Sequence, residues 1–235
     1  EHQWHFFPER HFLLTSQVEE LVESKSEKAL FSKLDYWWNH LPQWLMPNKK
    51  RGLKSCLNSD VRSRFFGQAT VPNIGRGDRL TAIFKDEAAE MANAGDIASA
   101  TRDATNCRID NSTPNGRFGT GQYFYELCQN PNVVKVWIHW SEHPEKSKGL
   151  YKLQRRVTAT HHASAFREGD WITQTQHDQE RQAGRLINVS ELQKLPLDWT
   201  KYNWRDDYDF TRLKFREGQA PRSDWFDLQC SRDRN

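Results

Sequence analysis

The stretch LTAIFKDEAAEM, residues 80–91, places an apolar run directly before two adjacent carboxylates, Asp86 and Glu87. The run LTAIF predicts a strand, and the Ala-rich residues 87–105 predict a helix with a break at Gly95. In open parallel sheets, ligands gather beyond the carboxyl ends of the strands, which is where this pair falls. The alternative is a plain helix start, because acidic residues in the first turn of a helix interact favourably with its dipole.

A second polar strand end follows in CRIDNSTPNG, residues 107–116, where a predicted strand closes on Ser112 and Thr113. Ser112 lies 26 positions after Asp86 (112 minus 86), which is enough for one helical crossover into a neighbouring strand. Hydroxyls at that point could sense a bound phosphate, or they could belong to an ordinary turn made by Pro114, Asn115 and Gly116. We expect both strand ends to lie at one edge of a parallel sheet.

The remaining chain alternates predicted strands with helical crossovers, a pattern typical of an α/β domain with a parallel sheet. Residues 146–235 lack a clean period and predict a smaller, irregular C-terminal region, within which residues 151–166 favour a helix. The other predicted elements are a strand at Phe12–Leu14, a helix through Leu34 that starts at a capping box on Ser16–Glu19, strands at 61–69 and 133–140, a Gly-rich loop at 73–79 and a helix at 121–130.

Composition excludes several classes of protein. The chain has 235 residues, with 34 basic against 31 acidic, so it is not a histone-like binder, although Lys49-Lys50-Arg51 could contact phosphates or form a solvated loop. The four cysteines are scattered without a C-x-x-C pair, which favours reduced thiols in a cytosolic protein. No apolar run approaches the roughly 18 residues of a membrane span.

An apolar strand that closes on Asp-Glu is the Walker B pattern of P-loop ATPases. In that chemistry the first carboxylate, here Asp86, holds Mg²⁺, and the second, Glu87, orients and deprotonates the water that attacks the γ-phosphate. The phosphate-loop pattern G-x-x-x-x-G-K-[ST] does not occur in the chain. This loop normally precedes Walker B, so we expect it upstream of Glu1 and expect the chain to be an internal fragment.

Two further patterns match known binding motifs but lack the structural context that those motifs require. HWSEH, residues 139–143, matches the zinc pattern H-x-x-E-H, which requires a helix, but His139 lies in a predicted strand and Pro144 follows at once. GRFGTG, residues 116–121, lacks the strand-to-helix context of a dinucleotide-binding loop and predicts a flexible loop.

The ordered set of segments resembles the large terminase subunit of tailed bacteriophages, a family that joins an ATPase domain to an RNase H-like nuclease and packages viral DNA. The resemblance is strongest over residues 12–144 and returns near 221–230. The segments that carry it are FLLTSQVEELVESKSEKALFSKLDYWWNHLPQWL, ATVPNIGRGDRLTAIFKDEAAEM, CRIDNSTPNG and SDWFDLQC.

The resemblance implies a P-loop NTPase-like parallel sheet flanked by helices, present as a partial ATPase core in residues 1–145. Residues 146–235 would be the C-terminal part of the ATPase region, leading towards a nuclease domain outside the chain. It assigns Asp86 to Mg²⁺, Glu87 to catalysis, and Ser112 and Thr113 to the motif that couples ATP hydrolysis to DNA movement. Arg76 and Arg79 match a loop in which a phosphate or DNA contact is expected, with a solvated Gly-Arg loop as the alternative.

The implied setting is a homo-oligomeric ring on the procapsid, in the host cell cytoplasm and transiently at the portal. Its partners would be double-stranded DNA, the portal protein and the small terminase subunit, and its cofactors ATP and Mg²⁺. Two other functions stay open: a different DExx-type nucleic-acid motor such as a helicase, and a non-enzymatic nucleic-acid-binding module whose Asp-Glu pair is a helix cap.

Overall fold

The computed structural model describes residues 1–69, 79–185 and 187–232. The chain divides into two compact units, residues 1–134 and 135–235. The predicted division at residue 145 therefore falls inside the second unit. Among the described helices, none has the length and apolar character that crossing a membrane requires.

The first unit is built on a six-stranded mixed sheet with the strand order β2-β3-β4-β1-β5-β6. Strands β4, β1, β5 and β6 run parallel to one another, whereas β3 pairs antiparallel with β4, and β2 antiparallel with β3, at one side. This arrangement confirms the predicted α/β class. The elements are α1 (His2–Phe6), β1 (His11–Ser16), α2 (Glu19–Val22), α3 (Leu30–Asn39), β2 (Lys49–Gly52), β3 (Ser55–Asn58), β4 (Ser63–Ala69), β5 (Ala82–Asp86), α4 (Ala94–Ala100), β6 (Arg108–Asn111) and α5 (Gly121–Gln129).

Two apolar clusters cover the faces of this sheet. Successive side chains of a strand point to opposite faces, so the neighbours Leu13 and Leu14 of β1 fall into different clusters. Leu14 packs in a cluster with residues of α1 and α3, such as Trp4 and Phe31. Leu13 packs with Ile83 and with Ile97 of α4. Burial on both faces explains why residues 12–14 of β1 form a continuous apolar run rather than an alternating one.

A glycine in β4 allows the helices to approach the sheet closely. A Cβ atom on Gly67 would lie 2.5 Å from a methyl carbon of Val22 and 2.6 Å from the ring of Phe31. Any side chain at this position would push α2 and α3 away from the strand.

Two predictions about helices in the first unit are wrong. The helix predicted through Leu34 is divided into α2 and α3, and Val18, the residue before α2, gives no side-chain cap. Ser16 does not act in the predicted capping box because it is still part of β1, paired with Ala69. Gly95 does not break a helix but lies within α4, where burial of Ala94 and Ile97 outweighs the roughly 1 kcal/mol that glycine costs in a helix.

The second unit has a small antiparallel sheet around β7, in the order β10-β7-β8, with β9 also pairing with β7. The helix predicted at 151–166 is wrong, because most of this segment forms β7. The elements are β7 (Tyr151–Ala159), β8 (Trp171–Ile172), α6 (Gln174–Gln182), β9 (Asn188–Val189), β10 (Gln193–Pro196), β11 (Tyr208–Asp209), β12 (Lys214–Phe215) and α7 (Asp224–Arg232).

The strand predicted at 133–140 is also wrong. Residues 134–139 belong to no helix or strand, and a 3₁₀ turn, Trp140–Glu142, begins at their end. Val134, Val136 and Ile138 are 92, 82 and 83 % exposed. The apolar alternation that favours a strand is present, but within the described residues no other strand pairs with this segment to satisfy its backbone.

Candidate functional site

The ends of β5 and β6 bring the two polar motifs together. The strands are parallel neighbours in which Asp86 is paired with Asn111, the last residue of β6. The side-chain amide of Asn111 donates a hydrogen bond of 2.8 Å to Asp86 Oδ1. One residue further on, Ser112 Oγ accepts a hydrogen bond of 3.1 Å from the backbone N–H of Ala89. The exposed residue Thr113 follows directly.

Glu87 has an unusual backbone conformation, with φ 55° and ψ 44°. This left-handed region costs a non-glycine residue about 1–2 kcal/mol. Glu87 precedes the 3₁₀ turn Ala88–Glu90, but its side chain makes no capping hydrogen bond. Ser112 on the neighbouring strand end binds an N–H of that turn instead. The Asp-Glu pair is therefore not explained as a helix cap, and the strain at Glu87 marks a candidate functional position.

Asp86 has a weak cationic neighbour on α3. Lys33 Nζ lies 3.9 Å from Asp86 Oδ2, and the Lys33 side chain is 57 % exposed whereas that of Asp86 is 16 % exposed. A cavity of about 500 Å³ adjoins this pair, lined by apolar side chains and also by Asn111. An apolar cavity with a few polar groups at one edge is typical of ligand-binding sites.

The other face of the same strand ends holds a buried ionic contact. Lys85 is fully buried, and its Nζ donates hydrogen bonds to Asp110 Oδ1 at 2.8 Å and to the hydroxyl of Tyr123 at 3.1 Å. The Tyr123 hydroxyl donates to the same Asp110 oxygen at 3.3 Å. Burial, together with the charge of Asp110, raises the pKa of Tyr123, so the phenol keeps its proton.

The sequence interpretation missed Lys85, Asp110 and Tyr123. The available signal was a lysine within the apolar strand that leads to Asp86, because a charged residue is almost never fully buried unless it is paired. Its partners could not be named without the strand register, which sets Lys85 opposite Asp110.

The predicted basic contacts have different outcomes. Arg76 lies outside the described residues, and Arg79 is exposed shortly before β5. Lys49-Lys50-Arg51 is not a solvated loop but most of β2. Arg51 is paired with the carboxylates of Glu23 and Asp35, so its charge is engaged within the protein.

The H-x-x-E-H pattern lies in an aromatic cluster of the second unit. The ring of His139 packs 5.1 Å from that of Trp204 and 4.9 Å from that of Phe215, centroid to centroid, and burial lowers the pKa of His139 to about 4. Glu142 accepts hydrogen bonds from the Trp204 indole and the Arg205 guanidinium, which lower its pKa. Within residues 1–69, 79–185 and 187–232, no group of three or more His, Cys, Asp or Glu residues could hold a metal ion by itself.

Comparisons with known proteins identify no relative by sequence: no protein-family model matches the chain, and no curated protein matches it. Among solved structures, the chain is similar to the large terminase from a thermophilic bacteriophage, with a TM-score of 0.37 and 10 % identity. The same terminase in complex with ADP gives a TM-score of 0.34 and 10 % identity. Each alignment covers 67 % of this chain and 52 % of the terminase chain, so the chain spans about half the length of these structures. The α/β assignment rests on the sheet of the chain itself.

The side chains at this edge include donor groups of the chemical type that binds Mg²⁺. Asp86, Glu87 and Ser112 present carboxylate and hydroxyl oxygens, which are the hard ligands that Mg²⁺ prefers. Mg²⁺ in nucleotide sites is bound through one or two carboxylates, with phosphates and water completing its shell, so a three-carboxylate cluster is not required. The cavity beside Asp86 gives space for a ligand at the same edge.

Proposed function

We propose that this chain is the Walker B part of a phage terminase large subunit, in which ATP hydrolysis drives double-stranded DNA into a procapsid. The observation that carries the proposal is the edge formed by β5 and β6. There Asp86 is the last residue of β5, a strained Glu87 follows it, and Ser112 follows the neighbouring parallel strand β6; Asp86 accepts a hydrogen bond from Asn111, and Ser112 accepts one from Ala89.

The roles follow from the chemistry of each side chain. Asp86 would hold Mg²⁺, and Asn111 orients its carboxylate from the neighbouring strand. Glu87 would orient the attacking water and accept its proton. Bound Mg²⁺-ATP supplies the γ-phosphoryl group that is transferred to this water. Ser112 and Thr113 begin the loop after β6. They would sense the loss of the γ-phosphate on hydrolysis and couple it to DNA movement.

The proposal places the phosphate loop of the parent chain beside β6. This strand ends the described sheet on its side, and Ile109 within it is 49 % exposed. A further parallel strand could pair there and bring its loop to the carboxyl end where Asp86 lies. The cavity of about 500 Å³ at this end would receive part of that segment.

The proposed partners follow from the packaging function. They are double-stranded DNA, the portal protein, the small terminase subunit and further copies of the chain in a ring. Exposed Arg79, before β5, would contribute to a phosphate or DNA contact. The proposed location is the host cytoplasm, at the procapsid portal during packaging.

The experiment that tests catalysis uses the complete parent protein. In Glu87→Ala we expect ATP hydrolysis to fall by about 10²–10⁴-fold with nucleotide affinity nearly unchanged, because Glu87 acts on the water and not on the triphosphate. Asp86→Ala should also weaken the Mg²⁺-dependent part of binding. Steady-state hydrolysis, nucleotide titration and thermal melting of each variant give the answer.

The matched control is Glu90→Ala, which removes an exposed carboxylate from the same 3₁₀ turn and should leave hydrolysis unchanged. Near-normal hydrolysis in Glu87→Ala would reject the role given to Glu87, whereas an absence of hydrolysis in the wild-type parent protein would favour the non-enzymatic binding module. Duplex unwinding without packaging would favour a helicase. The 235-residue chain by itself should not hydrolyse ATP, because it carries no phosphate loop.

A further inference from the structure

Three side chains on the face of the sheet opposite Asp86 join β5, β6 and α5. Lys85 of β5 contacts both Asp110 of β6 and Tyr123 of α5, and the last two contact each other. The Lys85 ammonium also lies 5.0 Å from the centroid of the Tyr123 ring. Because every member touches the other two, none of the three elements can shift without breaking a hydrogen bond.

These contacts lie at the base of the loop 112–120. Asp110 comes two residues before the loop, and Tyr123 is the third residue of α5, which follows it. Lys85 directly precedes Asp86. The loop is also closed at its end, since a Cβ atom on Gly121 would clash with the carbonyl oxygen of Asn115. Lys85 of β5 therefore contacts both elements that flank the loop, β6 before it and α5 after it.

Stability alone is a poor reason for this arrangement. Removing a lysine and an aspartate from water is costly, and well-packed apolar residues of similar volume are often at least as stabilising as a buried ion pair. Ile83, two residues earlier in β5, is equally buried and provides such packing. The ionic contact differs from apolar packing because its hydrogen bonds are directional, so they can set the position of one element relative to another.

We propose that Lys85, through Asp110 and Tyr123, is a positioning residue for the ATPase site: it holds the base of loop 112–120 closed and thereby fixes Ser112 relative to Asp86 and Glu87. The inference rests on the proposed function. Lys85 acts through its two partners and does not touch the nucleotide.

The mild test variant is Tyr123→Phe, which keeps the ring and the buried Lys85–Asp110 pair and removes one hydroxyl. In the 235-residue chain we expect hydrogen exchange of the Ala89 amide, whose N–H donates to Ser112 Oγ, and of the helical amides of α5 to rise about tenfold, while exchange in β1 and β4 stays unchanged. The matched control is Tyr125→Phe in the same helix, where the Arg117 guanidinium lies over the ring that the variant retains. A merely stabilising contact would raise exchange throughout the unit instead of locally.

The second measurement uses the complete parent protein. Tyr123→Phe should lower kcat for ATP hydrolysis about tenfold with the nucleotide Kd unchanged. The reason is that displacement of Ser112 changes the alignment of the reacting groups more than it changes nucleotide binding. Lys85→Met should act in the same direction and more strongly. If Lys85→Met does not fold, Tyr123→Phe alone decides.

Faster exchange at Ala89 and in α5 together with a lower kcat supports the proposal. Unchanged exchange at Ala89 and in α5 overturns it, and so does faster exchange with a normal kcat. These results differ from a failure of the proposed function, in which the wild-type parent protein itself would show no hydrolysis and both proposals would fall.

Discussion

Two lysine–aspartate pairs lie at the same strand ends, on opposite faces of the sheet, and they differ in the separation of the charges and in the exposure of the lysine. Lys85 and Asp110 are 2.8 Å apart with side chains 0 and 11 % exposed. Lys33 and Asp86 are 3.9 Å apart with side chains 57 and 16 % exposed. Identical residue types thus form a fixed structural contact in one case and a loose pair in the other.

The difference follows from water. A pair in contact with solvent gains about 0–1 kcal/mol, because the surrounding water screens the charges and the side chains lose entropy. A buried charge has no such alternative partner, so losing its counter-ion is costly. Replacing Lys33 by a metal ion beside Asp86 would therefore cost little free energy, whereas separating Asp110 from Lys85 would leave a buried charge without its counter-ion.

The largest expected effect is that of Lys85→Met, which leaves the Asp110 charge buried without its partner. We expect the free energy of unfolding to fall by about 3–5 kcal/mol, measured by urea denaturation of the 235-residue chain. The control is the double variant Lys85→Met/Asp110→Leu, which replaces the pair by apolar groups and should recover most of the loss. A loss below about 1 kcal/mol in Lys85→Met would mean that the two pairs are energetically alike.

An intermediate effect concerns Glu87, which directly follows Asp86. Glu87→Gly should raise the free energy of unfolding by about 1 kcal/mol, because glycine adopts a positive φ without strain, and it should abolish hydrolysis in the parent protein. The matched control is Arg62→Gly, since Arg62 also has a positive φ, of 58°. That variant should gain similar stability and keep hydrolysis. A Glu87→Gly protein that is less stable would show that the Glu87 side chain makes a stabilising contact.

The smallest expected effect is that of Lys33→Met. We expect a change of less than about 0.5 kcal/mol in the free energy of unfolding, because the two charges are 3.9 Å apart and Lys33 is exposed to solvent. In the parent protein, removal of this competing cation should lower the Mg²⁺ concentration that gives half-maximal hydrolysis by about two- to threefold. A destabilisation as large as that of Lys85→Met would remove the contrast between the two faces.

The sequence predicts the α/β class and the two strand ends because both depend on local signals. An apolar run followed by Asp86 and Glu87, and a second strand followed by Ser112, are visible within a few residues. The Lys85–Asp110 contact depends on a parallel register across 25 positions (110 minus 85), which no local period encodes. For the same reason, the acidic partners of Arg51 were not predicted, since Glu23 and Asp35 come from α3 and from the segment before it.

The failures have a physical cause in common. Residues 133–140 have the alternation of a strand, and the pattern of residues 151–166 favours a helix although most of them form β7. In both cases the state of the backbone depends on whether a neighbouring strand offers hydrogen bonds, which periodicity does not report. The prediction of a helix break at Gly95 failed because tertiary packing exceeded a weak intrinsic preference.

The segment 133–139 has a consequence for the behaviour of the protein at high concentration. Val134, Val136 and Ile138 place three exposed apolar side chains at alternate positions of a backbone that no described strand pairs. Such a segment is a template for strands of other molecules, so purified chains should associate through it and precipitate as their concentration rises. A charged residue at its centre, as in Val136→Lys, should keep the chains apart and raise their solubility without disturbing the fold.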